Sequence, residues 1–222
     1  MEIICNNANM RLIKFYDEVV HDCDVLLVQE WAGHSSKKVL EKEHELPSHT
    51  NRHVTKYLLA ESKVGLEVMY TEDRIQILKI EDKIIANVYL PAGATRERAD
   101  FLIHLRDVVL SQFAEISLIV GDFNLAPTPE DGWYGNKISP WTKVYERKEF
   151  VELCERYNLT DLGQHQPWSA TFERMSKGKL SAFRCDLALA HSDAWQWVDY
   201  LHDLRKNKKT DHSGVKVRSV TQ

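Results

Sequence analysis

The chain contains no apolar run long enough to cross a bilayer, no internal repeat and no low-complexity linker. Its first residues pass straight into a strand-like Ile3-Ile4-Cys5, so no signal peptide is expected. Only four cysteines occur, Cys5, Cys23, Cys154 and Cys185, all in apolar segments and without paired spacing. They read as buried free thiols of a reducing compartment, cytoplasm or nucleus, forming neither a zinc motif nor a disulfide frame. A basic surplus is missing as well. The net charge of −4 argues at first against a nucleic-acid partner, which asks for a basic surface.

What is present qualifies that argument. If Glu30, Asp122, Asp186 and Asp211 gather around a divalent cation, the rest of the chain is formally neutral. The basic residues cluster at Lys37-Lys38, at Arg96 with Arg98, at Lys177 with Lys179, and at Arg205-Lys206 with Lys208-Lys209. All four clusters fall in segments that read as loops or element ends, and a neutral body with basic rims is compatible with a polyanionic substrate. With 222 residues, ordinary hydrophobic content and no break in composition, one α/β domain over residues 1–222 is the economical reading.

Periodicity places the elements. Residues 2–5 read as a strand, and Leu12, Ile13, Tyr16, Val19 and Val20 carry a helical spacing. Val25 to Val28 is a second buried strand, ending in Gln29-Glu30. Residues 32–53 suggest a short helix inside a long polar loop. Runs at 55–60, 64–70, 74–80 and 84–90 have the close spacing of antiparallel strands. An amphipathic helix spans 98–113, a long irregular segment with aromatics fills 125–145, and another helix spans 146–157. Strands are expected again at 185–190 and 214–220.

The most informative run is Ile116-Ser117-Leu118-Ile119-Val120-Gly121-Asp122-Phe123-Asn124, a buried strand that stops in Gly-Asp-x-Asn. On extended backbone the i, i+2 spacing sets Asp122 and Asn124 on one face, and the glycine lets the chain turn. Four further polar strand ends follow the same pattern: Asn6, Glu30, Tyr89 before Leu90-Pro91, and Asp186 with Asp211-His212. Each alone is an ordinary cap, solvated acid or strand aromatic. Asp186 is the exception, because an acid inside an apolar strand demands a partner or a metal. Together they supply four carboxylates, an imidazole, two amides and a phenol at strand ends, where α/β folds assemble sites. Oxygen ligands without a thiolate or second histidine favour Mg²⁺ or Mn²⁺ over Zn²⁺. That set suits metal-assisted phosphodiester hydrolysis. Trp133, Tyr134 and Trp141, and Trp195 with Trp197, are candidates to stack on bases, against a reading as packing residues.

In this order, Asn…Gln-Glu…Asn-Val-Tyr-x-Pro…Gly-Asp-Phe-Asn…Asp-Leu-x-Leu-Ala…Asp-His resembles the endonuclease/exonuclease/phosphatase superfamily from residue 3 to about residue 218. The segment Tyr89-Leu90-Pro91-x-Gly93 looks like the exonuclease III and apurinic/apyrimidinic endonuclease branch, and like non-LTR retrotransposon endonucleases. The resemblance implies a DNase I-like, four-layer α/β sandwich of two packed mixed sheets flanked by helices. It also implies roles. Glu30, helped by Asn6 and near Asp211, would bind Mg²⁺ or Mn²⁺. Asp122 would position or deprotonate the attacking water, with Asn124 holding water and phosphate. His212, oriented by Asp186, would contact the scissile phosphate, and Tyr89 would donate to it or to the leaving oxygen. Trp195 is the expected substrate contact.

Two alignments of the first strand are open. Asn6 is preferred because Cys5 and Arg11 then fall where a hydrophobe and an arginine are expected; the alternative takes Asn7, with Asn9 two residues on. Trp31 stands where the repair enzymes have Thr-Lys, and the segment from Thr171 to Arg184 is short, which weakens abasic-site specificity more than hydrolysis. The expected activity is therefore a metal-dependent nuclease acting as a monomer on DNA. RNA or a small phosphoester is the alternative substrate, and a catalytically silent nucleic-acid-binding domain is the alternative class.

Overall fold

The computed structural model describes residues 1–31, 51–93 and 96–220. The Lys37-Lys38 pair lies outside them, as does the short helix expected in 32–53 except for residues 51–53, which begin a strand. In chain order the first strands are β1 (Glu2–Asn7), β2 (Val25–Gln29), β3 (Asn51–Val54), β4 (Leu58–Ser62), β5 (Glu67–Glu72), β6 (Ile75–Ile80), β7 (Lys83–Tyr89) and β8 (Leu118–Asp122). They are followed by β9 (Gly132–Tyr134), β10 (Lys137–Ile138), β11 (Thr160–Asp161), β12 (Phe172–Ser176), β13 (Lys179–Phe183), β14 (Asp186–Ala190), β15 (Trp195–Leu201) and β16 (Gly214–Ser219). The described α-helices are α1 (Tyr16–Val20), α2 (Glu97–His104), α3 (Val144–Arg156) and α4 (His202–Lys206).

Two six-stranded sheets run β15-β16-β1-β2-β4-β3 and β11-β14-β8-β7-β6-β5. Each has one parallel pair at its centre, β1 with β2 and β7 with β8, among antiparallel neighbours. The strand period of two sorts their side chains. Ile3, Cys5, Val25, Leu27, Leu78, Ile85, Leu118, Val120 and Ala188 face the other sheet and form the inner core. Ile4, Leu26 and Val28 face outward and pack against α1 and Leu204 of α4. Ile75, Ile77, Val88, Ile119, Leu187 and Leu189 face outward against α2, α3 and the turns after α2. The layers are helix, sheet, sheet, helix, so the expected DNase I-like four-layer sandwich of two packed mixed sheets is what the chain forms.

A small four-stranded sheet, β10-β9-β13-β12, accompanies the sandwich. Its β12–β13 hairpin carried no strand signal in the sequence because most of its residues are exposed on both faces, leaving no apolar alternation to read. The helix expected over 98–113 is α2 followed by a π-helical turn at Leu105–Val109 and a 3₁₀ turn at Leu110–Gln112. That expected over 12–20 is a 3₁₀ turn at Leu12–Lys14 and then α1. Arg98 is no part of a basic rim: it is fully buried, paired to Glu146 at 2.7 Å. No helix among the described residues is long and apolar enough to cross a membrane.

Candidate active site

The inward rows that build the core turn polar at one end of the two sheets. Along β1 the row runs Ile3, Cys5, Asn7; along β2, Val25, Leu27, Gln29; along β8, Leu118, Val120, Asp122. The β7 row ends in Asn87 and Tyr89, and β14 begins with Asp186. Cross-strand pairing sets Asn7 opposite Gln29, Tyr89 opposite Asp122, and Asp186 opposite Asp122. Below the end residues a buried amide chain ties the sheets together: Gln29 Nε2 donates to Asn87 Oδ1 at 2.6 Å, and Asn87 Nδ2 to Gln76 Oε1 at 2.9 Å.

Gly121 sits inside β8, and the turn comes after it. Its φ is 154°, and a Cβ there would stand 1.9 Å from the Val88 carbonyl oxygen, so only glycine allows β8 its place beside β7. The turn falls at Asn124, with φ 47°. The Asn124 N–H donates to Asp122 Oδ1 at 2.8 Å, and its Nδ2 to Leu90 O at 2.9 Å and Asp122 Oδ2 at 3.2 Å. Asp122 and Asn124 therefore meet through an Asx-type turn instead of through strand alternation.

Opposite Asp122 stands an imidazole. His212 Nδ1 lies 2.9 Å from Asp186 Oδ2 and 3.1 Å from Oδ1, and its Nε2 lies 4.0 Å from Asp122 Oδ2. Burial alone would lower the His212 pKa, but Asp186 and Asp122 outweigh it and raise it to about 10. Burial pushes Asp122 up to about 7, against the pull of His212 and with Asp186 adding to the rise. Thr171 holds this group from behind. Its hydroxyl accepts the N–H of Cys185 at 3.0 Å and of Asp186 at 3.1 Å, and its carbonyl accepts the N–H of Ser213 at 2.7 Å. The residue before Cys185 is also fixed: Arg184 lies between Asp131 and Asp161, 2.7 Å from each.

The other side is more open. The Tyr89 hydroxyl donates to Glu30 Oε1. Burial and then Glu30 hold the phenol far above its ordinary pKa, so it stays a donor. The Arg74 guanidinium lies 4.4 Å from the Tyr89 ring centroid and 4.3 Å from that of Tyr57, a cation–π contact on both. Glu30, Asn9 and Met10 all adopt left-handed backbone, and the Met10 N–H donates to the Glu30 carbonyl at 2.6 Å. Asn9 Nδ2 donates to Asp211 Oδ1 at 2.9 Å, and Asn7 Nδ2 to Asp122 Oδ2 at 2.8 Å.

The structure thus brings together Glu30, Tyr89, Asp122, Asn124, Asp186 and His212, with Asp211 beside them. Two expected residues are elsewhere. Asn6 falls on the outward row of β1, one residue out of phase, where its amide donates to the Asn7 carbonyl and accepts the Gly214 N–H, each at 3.0 Å. Asn7, with Asn9, takes the place expected of it. Trp195 is 1 % exposed and packs in the inner core between the sheets, and Trp197 packs there on Tyr200. Of the loop aromatics, Tyr134 and Trp141 reach the site, lining a 570 Å³ cavity that opens beside Asn124 and His212. Phe172, Phe183 and Cys185 line it too. Sequence reasoning missed Thr171, Cys185 and Arg74, which belong to no motif. Only the polar break Thr171 before Phe172, and the Cys-Asp pairing at the start of a buried strand, hinted at two of them.

Glu30 and Asp211 make no ion pair with Lys, Arg or His within 4 Å among the described residues; their partners are the Tyr89 hydroxyl and the Asn9 amide. Two half-exposed carboxylates whose direct partners are a phenol and an amide, with a further amide at Asn7, are a donor set that fits a hard divalent cation.

No protein-family model and no curated protein matches the chain. Solved structures do. An AP endonuclease from Archaeoglobus fulgidus superposes with TM-score 0.78 at 19% identity over all of both chains. The 3′–5′ exonuclease NExo from Neisseria meningitidis gives 0.73 at 19% identity, again over all of both chains. The endonuclease domain of TRAS1, a telomere-specific non-LTR retrotransposon, gives 0.70 at 14% identity over 100% of this chain and 99% of that one. At these identities what is shared is the architecture: this chain has the four-layer sandwich fold of these nucleases, the fold that the motif resemblance implied.

Proposed function

We propose that this chain, acting as one domain, is a divalent-metal-dependent phosphodiester hydrolase whose substrate is DNA. The observation that carries the reading is the buried Asp186–His212 pair presenting Nε2 toward Asp122, with Glu30 and Tyr89 across the same strand ends. The structural neighbours, an AP endonuclease, a 3′–5′ exonuclease and a retrotransposon endonuclease, support it, and NExo has been solved with a product DNA hairpin.

Glu30 and Asp211, with Asn7 and Asn9 adjoining, are the residues that would hold Mg²⁺ or Mn²⁺. Bound there, the ion supplies Lewis acidity to a phosphate oxygen. Asp122 aligns the attacking water and takes its proton, a task its raised proton affinity suits. Asn124, hydrogen-bonded to Asp122, fixes that carboxylate and the approach of the water. His212 donates from Nε2 to a non-bridging oxygen as charge builds on phosphorus, and Asp186 keeps Nδ1 protonated so that Nε2 points at the phosphate. Tyr89, held protonated, donates to the phosphate or to the leaving oxygen. The cavity lined by Phe172 and Trp141 takes the sugar or base beside the scissile bond. The four cysteines are free, which supports a reducing compartment.

Plasmid nicking in Mg²⁺ by the wild type and by Asp122→Ala tests the assignment. The substitution is expected to remove about 10³-fold or more of the rate while leaving DNA binding mostly intact. Equal nicking by both proteins refutes it. A panel of abasic duplex, plain duplex, single-stranded and RNA oligonucleotides then separates the substrates.

A further inference from the structure

A thiol stands among the acids and the imidazole. Cys185 Sγ, a carboxylate oxygen of Asp122 and a ring nitrogen of His212 all lie within 4.8 Å of one another, and all three residues are buried. Because Asp186 engages His212 Nδ1, the nitrogen left to ligate is Nε2, already turned toward Asp122. A histidine whose second nitrogen is held by a carboxylate is the arrangement that zinc-ligating histidines take. A thiolate, an imidazole and a carboxylate are the donors of Zn²⁺, whereas Mg²⁺ takes oxygens only. Tetrahedral zinc with bonds of about 2.0–2.3 Å sets its ligand atoms roughly 3.3–3.7 Å apart. The three side chains therefore need to close by about 1.5 Å at most, and Nε2 and Asp122, 4.0 Å apart, by less than that, within the reach of side-chain rotations. Cys185 and His212 both line the 570 Å³ cavity, so a fourth position would face it.

We infer that Cys185, His212 and Asp122 form a zinc site with one open coordination position, separate from the hard-cation position at Glu30 and Asp211. Binding exchanges the thiol proton, the Nε2 proton where His212 is an imidazolium and the carboxyl proton where Asp122 carries one for the metal, all passing to solvent. The binding does not rest on the hydrolysis proposed above. Its consequence does: zinc here occupies the base and the phosphate donor together, so the ion and the reaction exclude one another.

Cobalt(II) reports the site directly. Titrated into the full chain under reducing conditions, Co²⁺ should give a thiolate-to-cobalt charge-transfer band and the intense visible bands of a four-coordinate ion, both abolished by equimolar Zn²⁺. Cys185→Ser should lose the charge-transfer band and bind zinc at least ~100-fold more weakly, since loss of a ligand outweighs the 10–100-fold cost of losing an outer partner. Cys154→Ser, on α3 against the outer core and not among the three ligands, should keep the band. In nicking assays at fixed excess Mg²⁺, zinc should stop the wild type, and Cys185→Ser should need about 100-fold more for the same block. No charge-transfer band in the wild type, or an undiminished one in Cys185→Ser, overturns the site. If no nicking is detected at all, the cobalt spectra still decide it.

Discussion

On the His212 side of the cleft the side chains are buried and bonded to one another, whereas across it Glu30, Asn9 and Asp211 are half exposed, Glu30 and Asn9 in left-handed backbone just beyond the strand ends. Asp122, Asp186 and His212 are each tied by two or more hydrogen bonds or ion pairs, with Thr171 and Arg184 behind them. Glu30 has Tyr89, and Asp211 has Asn9. The difference is one of timing. The first side is organised by the fold before any ligand arrives, and so suits directed hydrogen bonds to a developing charge. The second has no ion pair to its carboxylates among the described residues, and a metal ion would complete it.

The strongest way to break this contrast is to weaken each side by one charge. Asp186→Asn leaves His212 without the anion that fixes its tautomer, and kcat should fall by about 10⁴-fold with no recovery at any Mg²⁺ concentration. The alkaline limb of its pH profile should also move to lower pH, because an imidazolium deprived of Asp186 gives up its proton sooner. Glu30→Gln should instead lose activity mainly at low Mg²⁺, by about 10–100-fold, and regain much of it as the metal is raised. Rescue of Asp186→Asn by metal, or none for Glu30→Gln, would show that the two sides do not divide the work in this way.

A second break concerns stability alone. Arg184 neutralises Asp131 and Asp161, all three nearly buried, immediately before Cys185 and Asp186. Arg184→Met strands two buried carboxylates and should cost about 3–5 kcal/mol, roughly 10 °C in Tm for a chain of this size. Replacing Arg74, which rests on exposed-side aromatics, should cost less than about 1 kcal/mol. Similar losses from the two arginines in thermal unfolding would erase the asymmetry.

These two sides were not equally legible in the sequence. Asp122 and Asp186 announced themselves because a charged residue inside or at the end of an apolar strand conflicts with burial unless it has a task, whereas His212, in a basic loop, came only with the Asp-His motif. Glu30 was readable for the same reason. Asn7 was not separable from Asn6, because adjacent identical residues carry no phase; only the inward row of β1 decides, and β16 and β2 set it by their pairing. Trp195 misled because aromatic character is shared by core and contact residues alike. Cys185 escaped notice as a ligand since a site assembled from distant segments has no spacing to recognise. Most of the strands of the two large sheets followed from apolar period, and the sandwich they build was implied by the motif resemblance. The β12–β13 hairpin did not follow, its residues being exposed on both faces.

The one-residue phase gives a sharper comparison of smaller size. Asn7→Ala removes an amide that donates to the Asp122 carboxylate at 2.8 Å, a bond to a charged group worth about 1.5–3 kcal/mol, so kcat should fall by about 10- to 150-fold. Asn6→Ala should leave kcat alone and cost about 1 kcal/mol of stability through the unpaired Gly214 N–H. The reverse pattern would mean that β1 is out of register by one residue.

The smallest effect is expected at Trp195. Its indole fills the inner core, and Nε1 has no hydrogen-bond partner among the described residues, so Trp195→Phe removes volume without breaking a bond. Destabilisation of about 1–2 kcal/mol with unchanged DNA affinity is the expected result, measured by denaturant unfolding beside a binding titration. Trp141→Ala on the cavity wall should do the opposite, weakening DNA binding by about 1–3 kcal/mol if a base stacks there and barely moving the unfolding midpoint. A drop in DNA affinity for Trp195→Phe would put the substrate against the sheet core instead of the cavity, and the contrast between the walls of the cleft would have to be redrawn around it.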